Sequence, residues 1–361
     1  MRARWVFWTI AATVAILAVL VLVIPTVVSA WLLNQANAQI AHAVALPVNA
    51  PDRTAALADA EAILGRTDRS AVPRATLAEA RLALARGDAE GASATLDSGR
   101  IPASSLDSIV EYVWGEAEWE AGRSDQAFNH WRSAGAITYF MQEAHRATDA
   151  DQWSMAADMA GIAVGIDPNL ADAHLVLGDA LSRLGETAEA IDELERASSL
   201  TTDPELGSTI WSRLGEIRAE HGDYAGALTL FDRARHLAPM DARPRTGYAL
   251  VLLQSQPAAR AEAVALLEQV VADSPWYTAA YIALAEQAES TGDFRSAEEW
   301  LQKGLAKNPN DARLLYPLGL LYARQKRWSE AKTELDQALF YETRADARQS
   351  ITRSLAELPS P

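Results

Sequence analysis

Six histidines, His42, His130, His145, His174, His221 and His236, are the side chains best suited to move protons or hold a metal near neutral pH. They are scattered, and no two stand in the H-E-x-x-H spacing that sets paired imidazoles on one helical face. No G-x-x-x-x-G-K-[ST] loop is present to cradle phosphates, and no G-x-S-x-G elbow to present a nucleophile. The chain has no cysteine, which excludes thiol catalysis, disulfides and Cys-based zinc sites. Carboxylates are abundant, 48 Asp and Glu against 32 Lys and Arg. Many stand beside arginine on helix faces, as Glu79 near Arg81 and Glu193 near Arg196, and read as solvated surface charge. The expectation is therefore no catalytic residue, no metal, no cofactor and no small-molecule substrate. A net charge of −16 also argues against a nucleic-acid partner, because an acidic chain repels phosphate backbones.

What must position the remaining polar groups is an internal repeat. Gly87, Gly122, Gly185, Gly222 and Gly292 are each followed five residues later by alanine: Ala92, Ala127, Ala190, Ala227 and Ala297. A glycine there ends one helix in the left-handed conformation, and Asp88, Asp223 or Asp293 next to it can cap the following helix. The alanine sits where the second helix crosses the first, and a larger side chain would overpack that crossing by about 1–3 kcal/mol. Before each turn a small residue follows a large apolar one: Trp114-Gly115, Leu177-Gly178, Leu214-Gly215, Leu284-Ala285 and Leu318-Gly319. After it, apolar residues recur at four and seven, as Phe231 and Ala234 after Ala227, and Pro168, Pro239, Pro275 or Pro309 closes the unit. Arg86-Gly87-Asp88 spells an adhesion tripeptide, but turn and cap account for it. Trp131, Trp211, Trp300 and Trp328 fall at packing positions, and Trp119 or Trp153 leaves carbohydrate stacking open.

Trp211, Leu214, Gly215, Tyr224, Ala227, Phe231, Ala234 and Pro239 resemble the tetratricopeptide repeat (TPR) residue for residue. Units begin near Pro73, Ser108, Ile137, Ala171, Ser208, Ala242, Thr278 and Ala312, about eight in residues 73–343 and clearest in 171–343; the unit from Ile137 lacks the turn glycine. The resemblance implies an all-α fold, a right-handed superhelical solenoid of helical hairpins that binds protein partners in a concave groove. Residues 344–361 supply a capping helix and tail, which solenoids need, and residues 53–64 a leading helix read as half a repeat.

In that family the second, fifth, ninth, twelfth and thirteenth positions of each unit face the groove. The resemblance carries this onto Tyr112, Glu116, Trp119 and Glu120; Leu175, Asp179 and Arg183; Ser212, Glu216 and Glu220; Arg243, Thr246, Leu250 and Gln254; Ile282, Glu286 and Glu289; and Arg313, Tyr316, Leu320 and Arg324. The Lys and Asn with which chaperone-binding TPR adaptors grip a C-terminal carboxylate are missing from the fifth and ninth positions. The groove reads as aromatic at its front, acidic in its middle and arginine-bearing at its C-terminal end, suited to a basic or mixed-charge protein segment.

Residues 5–24 form an uncharged apolar run, and twenty helical residues span roughly 30 Å, the thickness of a bilayer core. Arg2 and Arg4 precede it, and the next positive residue is Arg53, so the positive-inside rule sets residues 1–4 in the cytoplasm and the repeats outside. The expected organisation is an anchor over 5–33 with its core at 5–24, then a linker and leading helix over 34–72. The alternative is a cleaved signal, cut near Ala30 or Ala38, which would leave an exported protein binding a polysaccharide, or an accessory subunit of an enzyme complex. The whole resembles the single-pass TPR scaffolds of bacterial envelopes.

Overall fold

The computed structural model describes residues 24–67, 73–98 and 108–359, and these are all-helical with no strand among them. The chain divides into two compact units, residues 1–141 with 165–168 and residues 142–164 with 169–361.

In the first unit, α1 (Ile24–Val44) and α2 (Pro51–Leu64) form a hairpin, followed by α3 (Pro73–Ala85) with α4 (Ala89–Asp97) and α5 (Ser108–Glu120) with α6 (Ser124–Ala134). α1 packs on α2 and α3 through Leu33, Ala36, Ile40 and Ala43, each 5% exposed or less. The helix over 53–64 is thus one arm of a hairpin, and residues 34–44 belong to the other arm. The reason is the spacing of 33, 36, 40 and 43, one apolar stripe of a helix. Arg53 fixes the corner by donating to the carbonyls of Ala43 (3.2 Å), Leu46 (3.1 Å) and Ala85 (2.9 Å). The apolar run over 5–23 lies outside the described residues, within which no helix is long and apolar enough to cross a membrane.

Glu118 of α5 is 4% exposed and accepts from Ser93 Oγ (2.6 Å) and from Arg123, which also reaches Glu90 at 2.6 Å. Burial pushes the Glu118 carboxyl up, but the hydrogen bonds from Arg123 and Ser93 outweigh it and hold the group below its ordinary value. A depressed carboxylate contributes stability that is present above its unfolded-state value and lost as pH falls through the folded one. Arg123→Met strands this buried carboxylate. The variant is expected to melt about 5 °C lower at pH 7, the gap narrowing only at a pH below the ordinary carboxylate range, where the carboxyl protonates. Equal deficits at pH 7 and below that range in thermal melts would refute that account.

α7 (Ile137–Asp149) and α8 (Trp153–Ile166) span the division between the units. The second unit continues with the pairs α9 (Ala171–Leu184) and α10 (Thr187–Leu200), α11 (Pro204–Glu220) and α12 (Tyr224–Leu237), and α13 (Ala242–Ser255) and α14 (Arg260–Asp273). Next come α15 (Thr278–Ser290) with α16 (Phe294–Lys307), α17 (Ala312–Arg324) with α18 (Trp328–Tyr341), and α19 (Ala345–Ala356). The crossing alanines Ala190, Ala227, Ala263, Ala297 and Ala331 are fully buried or nearly so. In three of these hairpins a large residue of the second helix fills the space over a glycine of the first, Gly178, Gly215 or Gly319. A Cβ at Gly178 would stand 2.7 Å from Leu194, and one at Gly319 2.7 Å from Leu335. Trp131 plays that part against Gly115 in the first unit, whereas Trp328 is exposed rather than packed.

The pair His174 Nδ1–Glu193 Oε2 (2.6 Å) occupies the same two helical places as Glu111 Oε2–His130 Nδ1 (2.8 Å), with the partners exchanged. Glu193 thereby faces a histidine across the hairpin rather than Arg196 along its own helix. At the C-terminal end α19 covers Leu315, Leu335 and Ala338 with Ile351, and Arg348 donates to the carbonyls of Leu339 (2.6 Å) and Glu342 (2.7 Å). These bonds satisfy carbonyls at the end of α18 that would otherwise lack partners.

The turn glycines have φ of 78° to 89°, from Gly87 to Gly185. Where the chain has no glycine, Asp151 (φ 55°) and Lys326 (φ 60°) take the same conformation, and the same backbone bond closes the turn, from Gln152 N to Ala147 O (2.8 Å) and from Arg327 N to Tyr322 O (2.9 Å). A side chain there costs about 1–2 kcal/mol, partly offset by the greater freedom glycine loses on folding. Lys326→Gly is expected to stabilise the last repeat by about 0.5–1 kcal/mol, seen as a higher denaturation midpoint. An unchanged or lower midpoint would contradict it.

Candidate functional site

In the second unit the first helices of successive hairpins touch one another: α9 with α11, α11 with α13, α13 with α15, and α15 with α17. Every fourth residue or so on each first helix therefore joins a common wall. Two neighbouring cavities open on it. One, of about 220 Å³, is lined by Asp179, Arg183, Arg213, Glu216 and Glu220. The other, of about 710 Å³, is lined by Glu216, Glu220, Arg243, Thr246, Leu250 and Tyr277 among others.

Arg213 organises the first. Its Nη2 donates to Asp179 at 3.2 Å and its Nη1 to Glu216 at 2.8 Å. Burial lowers its basicity, but the two carboxylates outweigh that and raise it. Arg183 lies over the Trp153 ring at 5.4 Å, so Trp153 already has a cationic partner. Glu220 is exposed and makes no hydrogen bond or ion pair among the described residues. The second cavity has an apolar floor of Leu250, Val251 and Phe231. Tyr277 stands at its rim, its phenol pushed up by burial.

The sequence-assigned groove residues divide into three groups. Asp179, Arg183, Glu216, Glu220, Arg243, Thr246, Leu250 and Gln254 come together on the two cavities. Further along, Glu286 stands on α15, its carboxyl raised by burial and by the nearby Glu289. Glu289 and Arg324 form an ion pair, and Arg313 is clamped on Asp311 through bonds of 3.0 and 2.8 Å. The arginines at the C-terminal end are thus neutralised by neighbours instead of free for a partner. Tyr316 is half-buried, its hydroxyl 3.2 Å from Ser354 of α19, and Ser212 is fully buried, donating to Ser208 O at 2.7 Å.

Tyr112, Glu116, Trp119 and Glu120 belong to the first unit. Tyr112 packs edge-on to Tyr139 (5.8 Å) and stacks near Phe140 (6.3 Å). Burial raises both the Tyr112 phenol and the Glu116 carboxyl, which are hydrogen-bonded to each other. Trp119 is 42% exposed and rests against Phe128 and Trp131, while Glu120 is exposed.

Arg213 and Tyr277 were missing from the sequence assignment. Arg213 stands one place past a groove position, and Tyr277 one residue before its helix. A signal for Arg213 was available: it lies 34 residues from Asp179, one repeat length, with opposite charge. The Glu289–Arg324 pair repeats the pattern at 35. Among the described residues no three His, Asp or Glu converge as a metal site requires.

No curated protein matches the chain. Among solved structures it is similar to a human IFIT1 dimer with m7Gppp-AAAA, with 18% identity over 85% of this chain and 77% of that one and a TM-score of 0.52. It is similar to PilF of Pseudomonas aeruginosa, with 18% identity over 62% of this chain and 99% of that one and a TM-score of 0.44. It is also similar to PilW, a widely conserved type IV pilus biogenesis factor, with 17% identity over 60% and 98% and a TM-score of 0.46. At these identities the likeness is one of fold. Two family profiles, both described as tetratricopeptide repeat, match residues 141–204 and 212–275 and residues 258–316 and 290–351, more than half of the chain. With that match and the stacked hairpins behind it, the chain belongs to the tetratricopeptide repeat family.

Proposed function

We propose that this protein is a non-catalytic scaffold that grips a partner protein along α9, α11, α13 and α15. We also propose that an N-terminal apolar helix tethers it at the outer face of the cytoplasmic membrane. TPR proteins generally bind protein partners. The observation that carries the reading is the pair of adjoining cavities, whose walls hold the Glu220 carboxylate and the Arg243 guanidinium without hydrogen-bonded partners among the described residues, beside an apolar floor. The ligand is a basic or mixed-charge protein segment, and the acidic wall disfavours nucleic acid.

The anchor is supported by the uncharged run over 5–24 and the arginines before it. Packing of α1 favours retention of the segment. A cut at Ala38 would remove Leu33 and Ala36 from the core, and a cut at Ala30 would remove the first turns of α1. Tethering raises the effective concentration of weak partners, which suits the assembly of an envelope or membrane complex. The test is purification from native membranes in mild detergent after light cross-linking, with the N-terminus of the recovered chain determined. A stoichiometric protein partner on a chain beginning at Met1 or Arg2 supports the reading. A soluble chain cut near Ala30 or Ala38, with no protein partner, overturns it.

A further inference from the structure

The larger cavity carries a chemical pattern more specific than an acidic groove. Thr246 is 2% exposed, lines the wall, and its hydroxyl has no hydrogen-bond partner. A buried hydroxyl left unpaired is unfavourable for folding, and protein interiors rarely keep one without cause. One turn earlier on α13 stands Arg243. Its backbone N–H donates to Asp241 at 3.0 Å, but its guanidinium makes no hydrogen bond or ion pair among the described residues. The Tyr277 hydroxyl, at the start of α15, makes no hydrogen bond among them and lies within electrostatic reach of Arg243 and Glu216. Three donors with unused capacity therefore border one space. The opposite charge borders it from the last turn of α11, where Glu220 is unpaired and Glu216 shares Arg213. Leu250, 40% exposed, adds an apolar surface to the same lining.

The volume, about 710 Å³, exceeds a single side chain and falls within the roughly 300–1,000 Å³ of ordinary ligand pockets. It accommodates a few residues of extended chain. Charge complementarity then decides which residues.

We infer that this cavity seats a short extended segment of a partner protein in which an acidic and a basic residue flank an apolar one. The acidic carboxylate accepts from Arg243, Thr246 and Tyr277, the apolar side chain lies on Leu250, and the basic group faces Glu220. The inference rests on the groove reading above and narrows it. An acidic or basic segment alone would satisfy one pole and leave the other charge facing its like. The opposed poles also give the segment one direction across α11, α13 and α15.

Three end-blocked hexapeptides test it on the full chain in mild detergent. They are identical except that the two residues flanking an internal leucine are acidic and basic, both acidic, or both basic. Titrations followed by fluorescence anisotropy should show the mixed peptide binding at least tenfold tighter than either other. Arg243→Glu should weaken the mixed peptide at least tenfold, and replacing the peptide's acidic residue with lysine should restore binding to that variant. That rescue separates recognition from loss of fold. Thr246→Val removes only the hydroxyl, so it should weaken binding severalfold while raising the melting temperature. Equal affinity for the three peptides, no binding of any, or indifference to both substitutions would overturn the pocket. So would a shift in melting temperature with a peptidoglycan fragment and none with the peptides, which would point to a glycan instead. If the native partner is still lost on charge reversal at Glu216, Glu220 and Glu286, the groove stands without this pocket. If neither set of substitutions matters, both readings fall.

Discussion

Phe231→Ala is expected to cost the second unit about 4 kcal/mol and to lower its melting temperature by roughly 10 °C. The ring is 1% exposed and lies between two glycines on neighbouring first helices. A Cβ at Gly215 of α11 would come within 3.1 Å of it, and one at Gly247 of α13 within 2.4 Å. It therefore joins its own hairpin to the next one, and Ala227, Val251, Tyr224 and Tyr248 close around it. Truncation leaves a cavity that two rigid helices cannot collapse to fill. Because repeats touch only their neighbours, the damage should be local. Hydrogen exchange should rise in α11, α12 and α13 well before α17 and α18. A double-mutant cycle sharpens the test. Gly247→Ala overpacks against the intact ring and should cost about 1–3 kcal/mol, yet be near neutral once Phe231 is alanine. Additive losses would mean that the ring does not fill the space over Gly247.

Reversing charge with Glu216→Lys, Glu220→Lys and Glu286→Lys together should lower partner retention on the order of 100-fold at low salt, with the loss shrinking as salt screens it. Each half-exposed charge contributes little alone, about 0.2–1 kcal/mol, and reversal replaces that attraction by a comparable repulsion. Glu220 should dominate, since it has no internal partner. Glu216 should contribute less, because Arg213 already pairs with it. Circular dichroism on the triple variant checks that the helices persist. Glu286 adds a pH signature. Burial, then repulsion from Glu289, raises its carboxyl, so it loses its charge at a higher pH than an ordinary glutamate. Retention of a cationic segment should therefore begin to fall at a pH above the ordinary carboxylate range. Retention unchanged by the triple variant, measured by quantitative co-purification, would place the partner elsewhere.

Much of the scaffold was legible in the chain because its determinants are local. A left-handed residue ends a helix, a small one permits the crossing five places later, and an apolar side chain returns four after that. The rule survives even where glycine is lost. Asp151 still precedes Ala156 and Lys326 still precedes Ala331 by five, and both alanines are fully buried. The leading hairpin was harder to read. The stripe Leu33, Ala36, Ile40 and Ala43 is continuous with the apolar run before it, and overall hydrophobicity masked its periodicity. The groove was legible only as a set of positions. Family spacing names the first-helix face, yet it cannot say that Ser212 turns inward or that Arg313 folds back onto Asp311.

By itself, then, the sequence determined the helical hairpins, their register and their membership in one repeat family, since each depends on residues within about one turn or one crossing of each other. Only the tertiary structure decided which charges remain available. Arg213 reaches Asp179, and Arg324 reaches Glu289, because stacking brings residues one repeat apart within a side chain's length. The same stacking leaves the Glu220 carboxylate, the Arg243 guanidinium and the Thr246 hydroxyl on a shared cavity without hydrogen-bonded partners among the described residues. That outcome depends on how neighbouring hairpins lie against each other and which way each side chain turns, and no spacing along the chain encodes it.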